Sequence, residues 1–511
     1  MSSEQNTGIT LQSNLITSFD NGGEGATEIV AINETNRLIA STNGNTDSVD
    51  VFSLISGAKI GSLNIHEQTP GVDLSGIIGG ITSVSITDTH VVASHVGAKG
   101  GDAGYLAIYD YSQYSVSGEI STRVVQVGVH PDSVTVNAAG TTAYVANEGE
   151  LQVDDDGNRV DGAGSISIVD LTTLESTEIG FSGFSDAALE NVRLSPAMIE
   201  LYGSRAAAAE FDIEPEYVAL SPDEEHLFVS LQEANSVARV DLTQITVGSQ
   251  VSPSDVMTIL PLGSKDHSVT GAGLDVSDRD DQLTFDTQPV RGLYMPDSLA
   301  TMEIDGLTYF ITANEGDGRD GEERGAAFAD ETRVEDATLD AALSATLDIS
   351  DEGIGRLNIS STDGDTDGDG DIDQLHSFGA RSFSIWNENG ELVYDSGDDL
   401  GALFAEYFET TALDVIEGRS DNKGTEPEAL EVFTQNDNTY LAVGLERASQ
   451  IPVFDITDPS SPVFEMFLEL SESDISPEEI AITTVGTSSI AIVSNEVSGT
   501  LSAVQITDVI G

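Results

Sequence analysis

Cysteine is absent from the 511 residues, which excludes disulfides, thiolate nucleophiles and zinc-thiolate centres. Basic residues are scarce: 19 Lys and Arg, four of them Lys, stand against 89 Asp and Glu, for a formal net charge of −70. That balance makes nucleic acid an improbable partner and divalent cations natural ones. It equally suits a solvated acidic surface of the kind carried by marine or halophilic proteins. No apolar run approaches the ~18 residues of a membrane span, so no membrane insertion is expected. The opening MSSEQNTGIT has neither a basic nor an apolar signal region, so an export signal lies outside this sequence or export takes another route. The closing ITDVIG carries no anchor.

What is present is a repeat. Gly (50) far exceeds Pro (14), and Val, Ile, Thr and Ser fill short runs bounded by turn residues, the composition of many short strands. Five times a Pro-Asp or Pro-Glu opens one run and a Glu closes the next: Asp132 with Glu148, Glu216 with Glu233, Asp297 with Glu315, Glu428 with Glu446, and Glu478 with Glu496. Within residues 426–470, EPEALEVFTQ, NTYLAVGLE, SQIPVFDIT and SPVFEMFLEL read as four strands. Four short strands per unit of roughly 40–50 residues mark a propeller blade.

Units starting near 27, 80, 131, 215, 296, 427 and 477 predict an all-β, seven-bladed β-propeller of four-stranded antiparallel blades, occupying residues 1–511 as one domain. The last unit supplies three strands, so residues 8–19 are expected to pair with it and close the ring, removing open sheet edges. Residues 172–213, which carry helical periodicity, 263–295 and 316–380 exceed blade size and read as loop and partly helical insertions.

In a propeller the start of a blade's first strand and the end of its second lie on one face beside the central channel. The repeated acids therefore predict a collar at one tunnel mouth, its members raising one another's pKa values or holding cations. Hard oxygen donors without Cys point to calcium, with magnesium as the other candidate. The same pairs also suit turn and cap roles, in which carboxylates accept from local amides.

A second acidic segment, DGDTDGDGDID, places Asp365, Asp367, Asp369, Asp371 and Asp373 at positions 1, 3, 5, 7 and 9 of a calcium-loop spacing, with Gly370 at position 6. His376 occupies position 12 instead of a bidentate Glu, and no flanking helices are evident. The segment resembles the calcium loops of dockerins and thrombospondin repeats; a disordered acidic linker is the other reading.

The rare basic residues Lys265, His267, Arg381 and Lys423 fall near blade ends. They either neutralise nearby carboxylates or share a phosphate with bound metal. The segments HPDSVTV, AYVANEGE, EPEYVALSPD, PLGSKDHS, GLYMPDSLA, ITANEGDGRD, RSDNKGTEPEAL and SNEVSGT, in that order over residues 120–508, resemble the choice-of-anchor I family. That family includes proteins named atypical alkaline phosphatases and mesenchyme-specific cell-surface glycoproteins. The resemblance implies a secreted or cell-surface propeller, and either a metal-dependent phosphomonoesterase or a non-enzymatic adhesion, matrix or S-layer module whose partners are other surface proteins. In a phosphatase, the collar acids would hold calcium, and Lys265, His267, Arg381 and Lys423 would stabilise charge on the phosphate oxygens.

Overall fold

Strand formation follows the burial pattern of the runs. Residues 142–147 (TAYVAN) are buried along almost their whole length, because neighbouring sheets cover both of their faces, whereas the exposed Ser176 and Glu178 of an outer strand alternate with the buried Thr177 and Ile179. In the computed structural model, which describes residues 9–68, 74, 76–112, 120–153, 159–319 and 321–510, such runs make seven antiparallel sheets of four strands each. They cover residues 30–64, 78–129, 131–180, 218–261, 299–395, 427–467, and 477–510 together with Ile9–Asp20. The first strand of each sheet touches the first strand of the next, and that of the last touches that of the first. An apolar cluster lies between every consecutive pair; Phe19, Phe52, Ile492 and Leu501 belong to the one joining last to first. The architecture is all-β and of the β-propeller type.

Ile9–Asp20 runs antiparallel to Thr500–Ile510, from Ile9 opposite Ile510 to Asp20 opposite Thr500, with a bulge between Leu15 and Thr17. Residue 8 of the expected closing strand lies outside the described residues.

The segments beyond the repeat depart from expectation in three ways. Ser176–Gly180, inside the range 172–213, is the fourth strand of the third sheet, its alternation masked by polar residues; the helices Pro196–Tyr202 and Arg205–Asp212 follow it. Residues 263–295 and 316–380 stand outside the four-stranded sheets. They combine into one five-stranded mixed sheet, in which Val290–Leu293 pairs in parallel with Leu375–Ser377. An 18-residue helix, Asp399–Ile416, also lies between the fifth and sixth sheets, burying Leu400, Phe404 and Ile416.

Buried ion pairs fasten the helical segment to residues 319–363. Arg319 lies 3.2 Å from both Asp212 and Asp330, while Arg193 reaches Asp330 at 2.5 Å and Asp363 at 2.8 Å. Removing one member of a buried pair leaves its partner desolvated and unpaired, at a cost of about 3–5 kcal/mol. Arg319→Met should therefore shift the urea unfolding transition by that amount; an unchanged midpoint would show that the pairs with Asp212 and Asp330 contribute nothing net.

Candidate functional site

Proline starts the innermost strand in the third, sixth and seventh sheets, and a bulge follows at once, between Pro131 and Ser133, Pro427 and Leu430, and Pro477 and Glu479. A residue without an amide N–H is tolerated there, and the bulge re-aims the acid that comes next. Of the residues preceding the five repeat prolines Pro131, Pro215, Pro296, Pro427 and Pro477, four, His130, Met295, Glu426 and Ser476, hold positive φ of 43–61°, a region that non-glycine residues seldom occupy. The closing acids Glu148, Glu315, Glu446 and Glu496 each stand one residue beyond the second strand of their sheet.

These positions converge. One cavity of about 560 Å³ is lined by Asp132, Glu148, Glu216, Asp297, Glu315, Glu428, Glu446, Glu478 and Glu496, nine of the ten repeat acids. Glu28, Asp317 and Glu479 line it as well. The carboxylate oxygens of Glu428, Glu446 and Glu478 approach within 4.8 Å of one another. Glu216 Oε2 and Glu428 Oε2 are shielded from solvent and accept no hydrogen bond, an arrangement unlike a turn or cap carboxylate. The second sheet contributes Ile81, Thr82 and Ser83 instead of acids, giving the collar one neutral sector.

Glu233 lies outside this lining. Its Oε1 accepts from Arg324 at 2.6 Å, and the same guanidinium holds Glu214 at 2.7 Å. Gln232 takes the cavity position and donates to Glu315 Oε2 at 3.0 Å. Glu28 lacks the repeat's signal because Thr27 stands where five other units have proline, although TEIVAINE aligns with their opening strands.

Of the basic candidates, only Lys423 reaches the collar, with Nζ 2.5 Å from Glu315 and 3.5 Å from Asp317. Arg447 lines the cavity and lies 3.0 Å from Glu446. Lys265 donates to the carbonyls of Ala380 and Gly397 and lies 3.1 Å from Asp395. His267 is buried with Nδ1 2.8 Å from the Ala272 carbonyl, and burial lowers its pKa to about 3. Arg381 donates to the carbonyls of Asp275, Ser420 and Asn422 at 2.6–2.8 Å. None of these last three lines the cavity.

The 365–373 segment folds as a tight loop. Asp365 accepts from the amides of Gly368 and Gly370 at 2.7 and 3.0 Å, and Asp373 accepts from Thr366. Carboxylate oxygens of Asp365, Asp367 and Asp373 cluster within 4.8 Å, as do those of Asp340, Asp371 and Asp373. Asp369 belongs to neither cluster and accepts from the Asp371 amide at 3.2 Å. Asp340 comes from the cap of a short helix 25 residues upstream of Asp365, a separation that no loop motif reveals.

The sequence pattern of the choice-of-anchor I domain matches residues 28–459. The chain belongs to the choice-of-anchor I family. Gigasin-3a of Magallana gigas is 32% identical over 112 residues, a match covering 20% of this chain and 39% of that relative. Among solved structures, Kuenenia stuttgartiensis hydrazine synthase superposes with a TM-score of 0.49 at 11% identity, covering 94% of this chain and 96% of its own. A streptogramin B lyase superposes at 0.46 and 9% identity, covering 98% of each chain. No helix among the described residues is long and apolar enough to cross a membrane.

Burial, reinforced by neighbouring charge, raises the collar pKa values: Glu28 and Glu148 to about 7, and Glu216, Asp297, Glu428 and Glu478 well above the ordinary carboxylate range. Burial also raises Glu479 to about 7 and Glu431 to about 8. A carboxyl whose folded pKa is raised stabilises the fold fully below its unfolded value of 4.5, and that contribution is lost as pH rises through the folded value. The metal-free protein should therefore lose thermal stability steadily between pH 4.5 and about 8, and calcium should restore most of the loss at pH 8. A melting temperature independent of pH in chelator, followed calorimetrically, would contradict this electrostatic picture.

Proposed function

We propose that the chain is a secreted or cell-surface β-propeller of seven blades, closed by its N-terminal strand, whose central cavity binds hard divalent cations. The observation that carries this reading is the convergence of nine repeat acids and Glu28 on one cavity whose lining includes a single cation, Arg447, with Lys423 alongside. Ten converging carboxylates need protons or cations as partners. All-oxygen donors favour calcium, and magnesium would bind with more of its own water retained. The 365–373 loop, supported by Asp340, supplies a second calcium site whose role is to order the insertion.

Two uses of such a cavity follow. As an adhesion or matrix module, the protein would use calcium to rigidify a surface offered to other surface proteins. As a metal-dependent phosphomonoesterase, it would hold a phosphate ester through the collar's cations, with Lys423 and Arg447 supplying positive charge beside them. Lys265, His267 and Arg381 spend their donors elsewhere, which leaves the second use with fewer protein groups for the phosphate and favours the first.

Calcium titration by calorimetry tests the cation-binding collar that both uses require. The double variant Glu428→Gln, Glu478→Gln should weaken collar binding by at least about 10-fold, since removing ligand charge lowers calcium affinity. Binding to the 365–373 loop should persist. Unchanged stoichiometry and affinity would overturn the collar as a metal centre. Hydrolysis of p-nitrophenyl phosphate, dependent on calcium and lost in Glu315→Gln, would establish the phosphatase; absence of turnover in the calcium-loaded protein would leave the module.

A further inference from the structure

The donors considered above are all oxygens, but one imidazole stands at the collar's edge. His130 Nδ1 lies 3.0 Å from Glu148 Oε2 and 3.6 Å from Glu150 Oε2, and the donor atoms of the three residues fall within 4.8 Å of one another. Despite that proximity the nitrogen, shielded from solvent, makes no well-directed hydrogen bond.

The surrounding structure holds them there. The Glu148 amide donates to the His130 carbonyl at 2.8 Å, and the Gly149 amide donates to the Val129 carbonyl at 3.1 Å, locking the two segments face to face. Gln152 Nε2 donates to Glu150 Oε2 at 2.8 Å, the kind of outer contact that orients a metal ligand. A cavity of about 100 Å³ borders His130 and Glu150, with room for at least one water molecule.

The geometry points to a zinc-type site formed by His130, Glu148 and Glu150, separate in chemistry from the calcium collar and sharing Glu148 with it. Bonds of about 2.1 Å at a tetrahedral angle set donor atoms about 3.4 Å apart, and the separations of 3.0 and 3.6 Å bracket that value. An imidazole nitrogen suits zinc and is a poor calcium ligand. Three protein donors leave a fourth position facing the small cavity, where a water or an anionic oxygen would sit. The site stands whether or not the collar binds calcium.

The full chain, dialysed against zinc chloride with calcium chloride in large excess, should retain one zinc per molecule by elemental analysis. His130→Asn should lose that zinc while keeping its calcium stoichiometry, since Asn tolerates the positive φ of 50° at this position. Glu150→Gln, which keeps the side-chain shape, should weaken zinc binding by about 10- to 100-fold. Cobalt(II) in place of zinc should give visible bands of four-coordinate intensity that vanish in His130→Asn. Zinc retained equally by both variants, or no zinc bound by the parent chain in excess calcium, would overturn the site.

Discussion

Mutual repulsion among buried carboxylates is the constraint around which this structure is arranged. Two unit charges about 5 Å apart repel by about 3 kcal/mol at the effective dielectric of a protein site. Glu428, Glu446 and Glu478 alone make three such pairs, and fully ionised they would cost about 10 kcal/mol, as much as the net stability of a whole domain. The apolar clusters between sheets can hold that arrangement only if protons or cations neutralise part of it. Raised pKa values and the proposed affinity for divalent ions would be two expressions of the same strain.

Positive charge is scarce, and three guanidinia have a traceable job. Arg193, Arg319 and Arg324 are buried and bind five carboxylates on segments distant in sequence. They join the helical insertion to the segment around the five-stranded sheet, and that segment to Glu233 beside the fourth sheet. Arg324 also draws Glu233 out of the collar. Arg193 joins Asp363, two residues before the acidic loop, to Asp330 and to the Glu233 carbonyl, so the loop and the collar's border share one rigid support. Gly316 and Gly379 cross beside Glu315, where a Cβ on either would meet the other segment's backbone at 1.8 Å. No other residue lets the two ends of the insertion pass there.

Much of this was legible in the chain because the repeat couples local chemistry to position. Proline followed by an acid marks the start of an innermost strand, and a Glu marks the end of the next, so nine collar members carry a local signal. Glu28 lacked the proline, and Glu233 carried the motif but met Arg324, a contact set by an insertion 91 residues away. The helix Asp399–Ile416 shows apolar residues at 400, 404, 408 and 416, a signal hidden beside the insertion boundary. Lys265, His267 and Arg381 were drawn towards the site by scarcity alone. Their donors are consumed by backbone carbonyls, a use that composition cannot foresee. The pairing of two insertions into one sheet depended on non-local contacts between three-residue strands, too short to carry a pattern.

The neutral sector at Ile81, Thr82 and Ser83 breaks the collar's symmetry, and Lys423 and Arg447 mark the fifth and sixth sheets on its rim. A ligand in the cavity would therefore meet distinct surroundings on different sides, with metal ions between them and the acids. The most direct test is an anomalous-scattering map from crystals grown in calcium chloride. The account predicts a peak coordinated by Glu428, Glu446 and Glu478 inside the central cavity. A map with peaks only at the 365–373 loop, and the collar carboxyls bonded to water alone, would contradict it.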